Sequence, residues 1–391
     1  MPQKNPPTRP SGRFQVMSRV GGEEVRAFFP SPLPLPTDEL DLTELQADLG
    51  EANRALGALD AISSLLPSTG LFVYMFVRKE AVLSSQIEGT QSTLDELLQA
   101  ESMEGAPRSD DLTETSAYVS ALERGTELVR DGWPLTSRMF DELHRLLLGS
   151  GRGSERLVGE YRRGQNWVGG TRPGNAAYVP PPPETVAECM GDLERFVNAE
   201  PAGESTLVRA GLAHALFETI HPYGDGNGRL GRMLVPLMLL REKTLSDPLL
   251  YISLFLKEHR ERYYDLLQRT RTESAWTEWI RFFLEGVTAS AHSAVGTASD
   301  LTRLFERDRV RIRTERDRPG SVLQVHEVFQ THPVRSLPDV VERAALSYPT
   351  VSRAIEIMEE LGMVIEVTGR KRDRIFVYDE YIKTVSKERT L

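Results

Sequence analysis

Between His221 and Arg232 the chain reads HPYGDGNGRLGR, and apolar residues recur at helical spacing on both sides of it. Upstream these are Val208, Leu212, Ala215, Leu216 and Ile220; downstream they are Leu230, Met233, Leu234, Leu237 and Met238. Such spacing on both flanks dictates a helix, a tight glycine-rich turn and the start of a second helix. Any core this chain builds must hold that pair.

The turn carries its own chemistry. Gly226, Asn227 and Gly228 open the second helix, where backbone N–H groups lack intrahelical acceptors and, with the helix dipole, favour an anion such as phosphate. Arg229 and Arg232 stand in the first turn, where the same dipole opposes them unless a multiply charged anion is bound. Guanidinium groups suit phosphate oxygens. Asp225 adds a hard oxygen ligand of the kind a phosphate-bridging Mg2+ takes. His221, with an ordinary pKa of about 6.5, can accept a proton near neutrality and so deprotonate an incoming hydroxyl. The plainer alternative is that His221 and Pro222 stop a helix and GDGNG turns the chain. That suffices for any one residue but poorly explains the set.

Composition narrows the setting. A chain of 391 residues has room for two or three domains. The single cysteine, Cys189, excludes an internal disulfide framework and suits a reducing compartment. No apolar run reaches the length of a membrane span, and the opening MPQKNPPTRPSGRF lacks the apolar core of a signal peptide. The expectation is a cytoplasmic protein without a membrane partner. A net charge of -10 argues against a nucleic-acid platform over the whole surface. The charge is segregated, however, since 17 Lys and Arg stand against 15 Asp and Glu in residues 301–391.

The expected organisation is mainly α-helical. Residues 1–36 read as an irregular proline-rich leader, with prolines at 2, 6, 7, 10, 30, 32, 34 and 36. Thr37 or Asp38 reads as the N-cap of a helix bearing Leu42, Leu45, Leu49 and Leu56, and a second helix runs from beyond Pro67 to Ile87, ended by Gly89. Further helices are expected near 110–130, 136–148, 184–198, 205–220, 229–242, 248–270 and 275–315. One interruption, QNWVGGTRPGNAAYVPPPP from Gln165 to Pro183, reads as a β-hairpin with strands Asn166–Val168 and Ala177–Val179. Its exposed edge could recruit an extended peptide through main-chain hydrogen bonds. Residues 301–320 read as a connecting helix or linker. Beyond them, helices at 322–330, 338–345 and 350–361 and strands at 364–368 and 374–378 predict a winged helix-turn-helix domain over 321–391. In its last helix Val351, Ala354, Ile355, Met358 and Leu361 face the core, and Ser352, Arg353 and Glu356 face outward. The basic tip Gly369-Arg370-Lys371-Arg372 suits DNA phosphates, whereas Glu356, Glu359 and Glu360 oppose them.

HPYGDGNGRLGR resembles the signature of the Fic family, His-Pro-Phe-x-Asp/Glu-Gly-Asn-Gly-Arg-x-x-Arg, with Tyr223 where Phe is usual. The resemblance extends from about Leu33 to Phe283 and implies a Fic-type helical bundle over 37–300 with a β-hairpin flap. It also implies transfer of AMP from ATP to a Ser, Thr or Tyr hydroxyl of a protein. By position, His221 would be the general base and Asp225 the Mg2+ ligand. Gly226, Asn227 and Gly228 would form the anion hole, Arg229 would help hold the phosphates, and Arg232 would grip the γ-phosphate. A related branch with Lys at position 228 transfers phosphate instead, so Gly228 favours AMP transfer. The hairpin corresponds to the flap, with Val168, Gly169, Tyr178 and Val179 beside the target. Tyr263 and Tyr264 are candidates for the adenine pocket, and a homodimer is implied.

A second stretch, SSQIEGT at 84–90, bears on the same loop. Glu88 ends a helix, where the dipole opposes a negative charge and a cation is wanted. Ser84 to Gly89 matches the family's inhibitory motif, Ser/Thr-x-x-x-Glu-Gly/Asn, which implies that Glu88, aided by Ser84, pairs with Arg232 and competes with ATP. The expected protein is an autoinhibited adenylyltransferase. The alternatives are a DNA-binding regulator with a nucleotide-sensing body, and removal of AMP or transfer of another phosphate-containing group at the same site.

Overall fold

A computed structural model of the chain describes residues 11–20, 23–36, 39–65, 69–102, 109–149, 157–200, 204–315, 319–370 and 374–387. The helices expected around the glycine-rich turn are α7 (Thr206–Ile220) and α8 (Asn227–Arg241). Every residue of α7 from Leu207 to Ile220 is buried, so this helix forms the centre of the bundle, not one wall of it. Around the pair stand α1 (Gln46–Leu65), α2 (Thr69–Ile87), α3 (Leu94–Ser102), α4 (Asp110–Arg130), α5 (Ser137–Leu148) and α6 (Pro183–Asn198). On the other side lie α9 (Ser253–Glu258), α10 (Arg260–Glu273) and α11 (Trp276–Glu315). Direct contacts join α7 to α6, α10 and α11, and α8 to α2, α4 and α5. The fold is mainly helical.

Local chemistry sets several of the ends. Ser109 caps α4 by accepting from the Leu112 N–H at 3.1 Å. Thr93 and Glu96 open α3 as a reciprocal capping box, each side chain accepting the other residue's N–H, at 2.8 Å and 3.3 Å. Gly89, with φ of 104°, lies just beyond the C-terminus of α2.

Four sequence expectations need correction. The leader is not irregular throughout: β1 (Gly12–Val20) and β2 (Glu23–Pro30) pair antiparallel from Gly12–Pro30 to Val20–Glu23, with a bulge between Val16 and Ser18. The prolines bracket this hairpin instead of interrupting it, and the Gly-Gly dipeptide between two β-prone runs is a hairpin signal. The N-cap candidates Thr37 and Asp38 lie outside the described residues, and α1 begins only at Gln46. The Asp41 side chain accepts the Thr43 N–H at 2.8 Å, a local turn that takes the place of helix and leaves Leu42 exposed. The helix expected over 248–270 is two, because Pro248 disfavours a helical start and the chain breaks at His259. The hairpin at 165–183 is reduced to a single backbone pair, Val168 with Tyr178, where Pro173 and Pro180–Pro183 remove ladder donors. The helix expected at 275–315 is α11, 40 residues long, so over 301–315 the connecting-helix alternative holds.

The C-terminal module contains α12 (Gly320–Thr331), β3 (Val334–Ser336), α13 (Leu337–Ala344), α14 (Tyr348–Glu360), β4 (Ile365–Glu366), β5 (Ile375–Val377) and α15 (Asp379–Ser386). The sheet order is β3-β5-β4, antiparallel throughout, and β3 had no counterpart in the sequence reading. Val351, Ala354, Ile355, Met358 and Leu361 are buried, as expected. Lys371 and Arg372 of the basic tip lie outside the described residues. The module is tied to the body by Lys79 Nζ donating to the Val385 carbonyl at 2.7 Å and Ser102 Oγ donating to the Val334 carbonyl at 3.2 Å. Buried Asp308 of α11 accepts the Tyr378 hydroxyl at 2.6 Å. Among the described residues no helix is long and apolar enough to cross a membrane.

Candidate active site

His221 caps α7 in a left-handed conformation (φ 49°, ψ 60°) and donates its N–H to the Phe217 carbonyl at 2.9 Å. That strained geometry turns the chain sharply before Pro222. Gly226 is left-handed as well (φ 76°) and opens α8, with Leu147 and Leu148 packed where a side chain would begin. Between these points Asn227 pins the turn. Its Oδ1 accepts the Tyr223 N–H and its Nδ2 donates to the Tyr223 carbonyl, both at 2.9 Å. The Asn227 side chain is therefore committed to the loop, leaving its backbone as the part able to meet an anion.

Tyr223 in place of the usual Phe is explained by its surroundings. Its ring stacks on His144, 4.1 Å between centroids, and its hydroxyl donates to Asp141 at 2.8 Å. His144 accepts the Gly159 N–H on Nδ1 and so carries its proton on Nε2, which faces the Asp225 carbonyl at 3.2 Å. The other clamp is Arg162, unremarked in the sequence. Its guanidinium donates to the carbonyls of His221, Ile220, Pro181 and Gly164, and burial pushes its pKa down to about 10. One buried arginine thus fastens the glycine-rich turn to the start of α6.

A cavity of about 550 Å3 opens beside this turn. Of the expected residues, Glu88, Val168, Gly169, Tyr178, His221, Gly228, Arg232, Tyr263 and Tyr264 line it. Asp225, Gly226, Asn227, Ser84 and Val179 stand behind or beside it. Arg229 departs from expectation: its guanidinium is buried 3.4 Å from Glu114 and 4.0 Å from Asp225. Asp225 keeps a half-exposed carboxylate that accepts the Gly226 N–H at 2.7 Å.

Arg232 is almost wholly buried, and its Nε and Nη2 are both engaged. Its Nε donates to Ser84 Oγ at 2.8 Å, and its Nη2 donates to the Ser84 carbonyl at 3.0 Å and to Glu88 Oε1 at 2.6 Å. Burial works to lower the Arg232 pKa, but the facing Glu88 outweighs it and the net shift is upward. Burial likewise works to raise Glu88, and Arg232 outweighs it, holding the carboxyl below its ordinary range. Glu88 nevertheless keeps 36% of its side chain exposed, at the cavity mouth. Gly228 makes room for it: a Cβ there would lie 2.2 Å from Glu88 Oε1.

His221 Nδ1 is buried with no hydrogen-bond partner. Burial, with Arg271 and Arg162 nearby, pushes its pKa down to about 4, so the ring is a neutral acceptor at physiological pH. Arg271 lies 3.8 Å from the centre of the Tyr178 ring and donates to Thr219 Oγ1 at 3.1 Å. Arg260, Gln268 and Arg271 also line the cavity and were missed, yet 260, 264, 267, 268 and 271 follow a helical stripe that ends on this site. Glu218 was missed too; it is buried, with its carboxyl pushed up to about 7 by desolvation.

The Fic/DOC family N-terminal model matches residues 46–127 and the Fic/DOC family model matches residues 134–239, which includes the whole turn. Over these residues the chain matches the Fic/DOC family. Among curated relatives, the "Protein adenylyltransferase Fic" of Culex quinquefasciatus is 36% identical over 152 residues, 39% of this chain and 27% of that protein. That of Drosophila virilis is 32% identical over 209 residues, 53% of this chain and 38% of that protein. The chain thus spans well under half the length of the relatives it matches. A Fic family protein from Desulfovibrio desulfuricans G20 shares the fold at a TM-score of 0.55 and 20% identity, over 90% of this chain and 98% of that one. α3, which no expected helix covered, lies inside the N-terminal match.

Proposed function

We propose that the chain is an ATP-dependent protein adenylyltransferase restrained by its own Glu88. The observation that carries this reading is the neutral His221 imidazole lining the same cavity as the Arg232 guanidinium. An acceptor hydroxyl placed there would lose its proton to His221 as its oxygen attacks the α-phosphorus of ATP. The bond to the bridging oxygen breaks, pyrophosphate leaves, and AMP remains on the target as a phosphoester. Backbone N–H groups at the start of α8 would meet the phosphates, and Arg232 would take the γ-phosphate once Glu88 leaves it. Mg2+ fits this scheme, because that ion commonly takes one or two protein carboxylates and fills its shell with phosphates and water. Asp225 would supply that carboxylate, and the ion would neutralise charge on the departing pyrophosphate. Tyr263 and Tyr264 would flank the adenine.

The flap suits a protein target on one side only. Val179 already accepts the Phe28 N–H at 3.0 Å, so β2 occupies that side. The outward backbone groups of Trp167 and Gly169 are the ones left to pair with an extended segment. We read the C-terminal module as a winged helix-turn-helix. Arg353 on its exposed helix face is paired with Glu356 at 2.9 Å and Glu360 at 3.8 Å, which leaves that face without net positive charge and disfavours DNA.

The test is intact-mass spectrometry of the Glu88→Gly variant with ATP and Mg2+. Glu88→Gly is expected to raise AMP incorporation roughly 5- to 150-fold, the range of a typical coupling between sites. His221→Ala in that background is expected to lose roughly 100- to 10,000-fold. A phosphate adduct instead of AMP would overturn the reaction, and equal rates for wild type and Glu88→Gly would overturn the restraint.

A further inference from the structure

A second cavity, of about 700 Å3, lies between α2 and α3 of the body and β3 and α13 of the C-terminal module. It shares no lining residue with the catalytic cavity. Four arginines from four different segments converge on it: Arg78, Arg335, Arg343 and Arg370. Only two carboxylates, Glu101 and Asp339, line it with them.

The pairing inside is uneven. Arg78 is satisfied by Glu101 at 2.9 Å and Glu123 at 2.8 Å. Asp339, by contrast, serves two guanidiniums at once, accepting from Arg335 and from Arg343 Nε, the latter at 2.8 Å. Arg335 has a side-chain exposure of only 4%, and its Nε is buried with no acceptor. Its Nη2 donates to Thr331 Oγ1 at 2.9 Å and to His332 Nδ1 at 2.7 Å, so the histidine must be neutral on that nitrogen. Burial, and then Arg335, Arg343 and Arg78, push the His332 pKa down to about 4, as expected in a cationic enclosure. Arg370 makes no ion pair among the described residues.

A buried guanidinium with an unmet donor is costly unless an anion completes it, and the exposed, unpaired Arg370 at the rim is free to reach the same anion. The volume is that of a small-molecule site, not of a surface groove for a polymer. Planar guanidinium forks match phosphate oxygens, and a multiply charged group answers the surplus of cations. We propose that this cavity binds a small phosphate-bearing anion of up to nucleotide size, held by Arg335, Arg343 and Arg370 at the junction of body and module.

The test uses the full chain and two probes, inorganic pyrophosphate and AMP, with affinities read by isothermal titration calorimetry. The variant is Arg343→Ala/Arg370→Ala, both positions lying outside the core, with folding checked by circular dichroism. The expected result is a binding event in the wild type that weakens at least tenfold in the variant. Tighter binding of AMP than of pyrophosphate would assign a nucleotide, and the reverse a free polyphosphate. Unchanged affinity in the variant would put all anion binding elsewhere and overturn the proposal, as would absence of binding at millimolar probe. A variant that loses affinity for duplex DNA while the wild type binds neither probe would also overturn it.

Discussion

At the scale of single residues, the site is governed by what burial does to charge. His221 would be a poor base in a conventional sense, with its pKa near 4, but the same burial keeps it unprotonated across the working range. If it is the base, kcat/KM of the Glu88→Gly variant is expected to stay flat from pH 8 down to pH 5. Removing Glu88 takes away a charge that raises the His221 pKa, so the variant shifts any acid limb further down, not up. An acid limb with an apparent pKa between 6 and 7 would count against His221. Arg232 shows the complementary case: a buried guanidinium keeps its charge because Glu88, itself 36% exposed, stands against it. In sequence the helix dipole asked for a cation at Glu88 and an anion at Arg232, and the resemblance to the family's inhibitory motif implied that the two pair. Arg162 and Arg271 were not legible, since an arginine whose partners are carbonyls or an aromatic ring looks in sequence like any surface charge.

At the scale of elements, β1 and β2 matter beyond their size. The Phe28 ring is 1% exposed, lies 4.9 Å from Phe14 and 6.5 Å from Tyr178 between centroids, and its N–H holds the flap through Val179. Arg172 of the flap forms an ion pair with Glu23 of β2. Phe28→Ala is expected to destabilise the chain by about 3–5 kcal/mol, as large-to-small core changes do. Faster hydrogen exchange at Val168 and Tyr178 should accompany it; unchanged exchange there would detach β2 from the flap. The sequence reading missed this hairpin because it weighed the number of prolines and not their positions. Long helices were easier, as their period survives local irregularity. Breaks such as His259 and the turn at Asp41 depend on single side-chain hydrogen bonds, which periodicity does not encode.

At the scale of the whole molecule, the buried titratable groups set an acid limit. His144, His214, His221, His326 and His332 are each pushed down to about 4, burial being the first cause in every case. Unfolded, they bind protons near pH 6.5, so stability falls as pH drops from about 6.5 toward 4. Glu80 and Glu218, pushed up to about 7, act in the opposite sense, binding protons in the folded state first. Five outweigh two, and the urea midpoint is expected to fall between pH 7 and pH 5; a rise would mean that the histidines are not buried in solution. In sequence, residues 301–320 read as a connecting helix or linker, next to a helix expected over 275–315. The structure carries α11 through this segment as far as Glu315. A helix advances about 1.5 Å and turns about 100° per residue, so this segment fixes the phase of the module as well as its distance. Inserting one residue near Leu301 would swing the module through more than a quarter turn and separate Lys79 from Val385 and Ser102 from Val334. Natural variation in length is therefore expected to be tolerated in the loops and forbidden along this shaft.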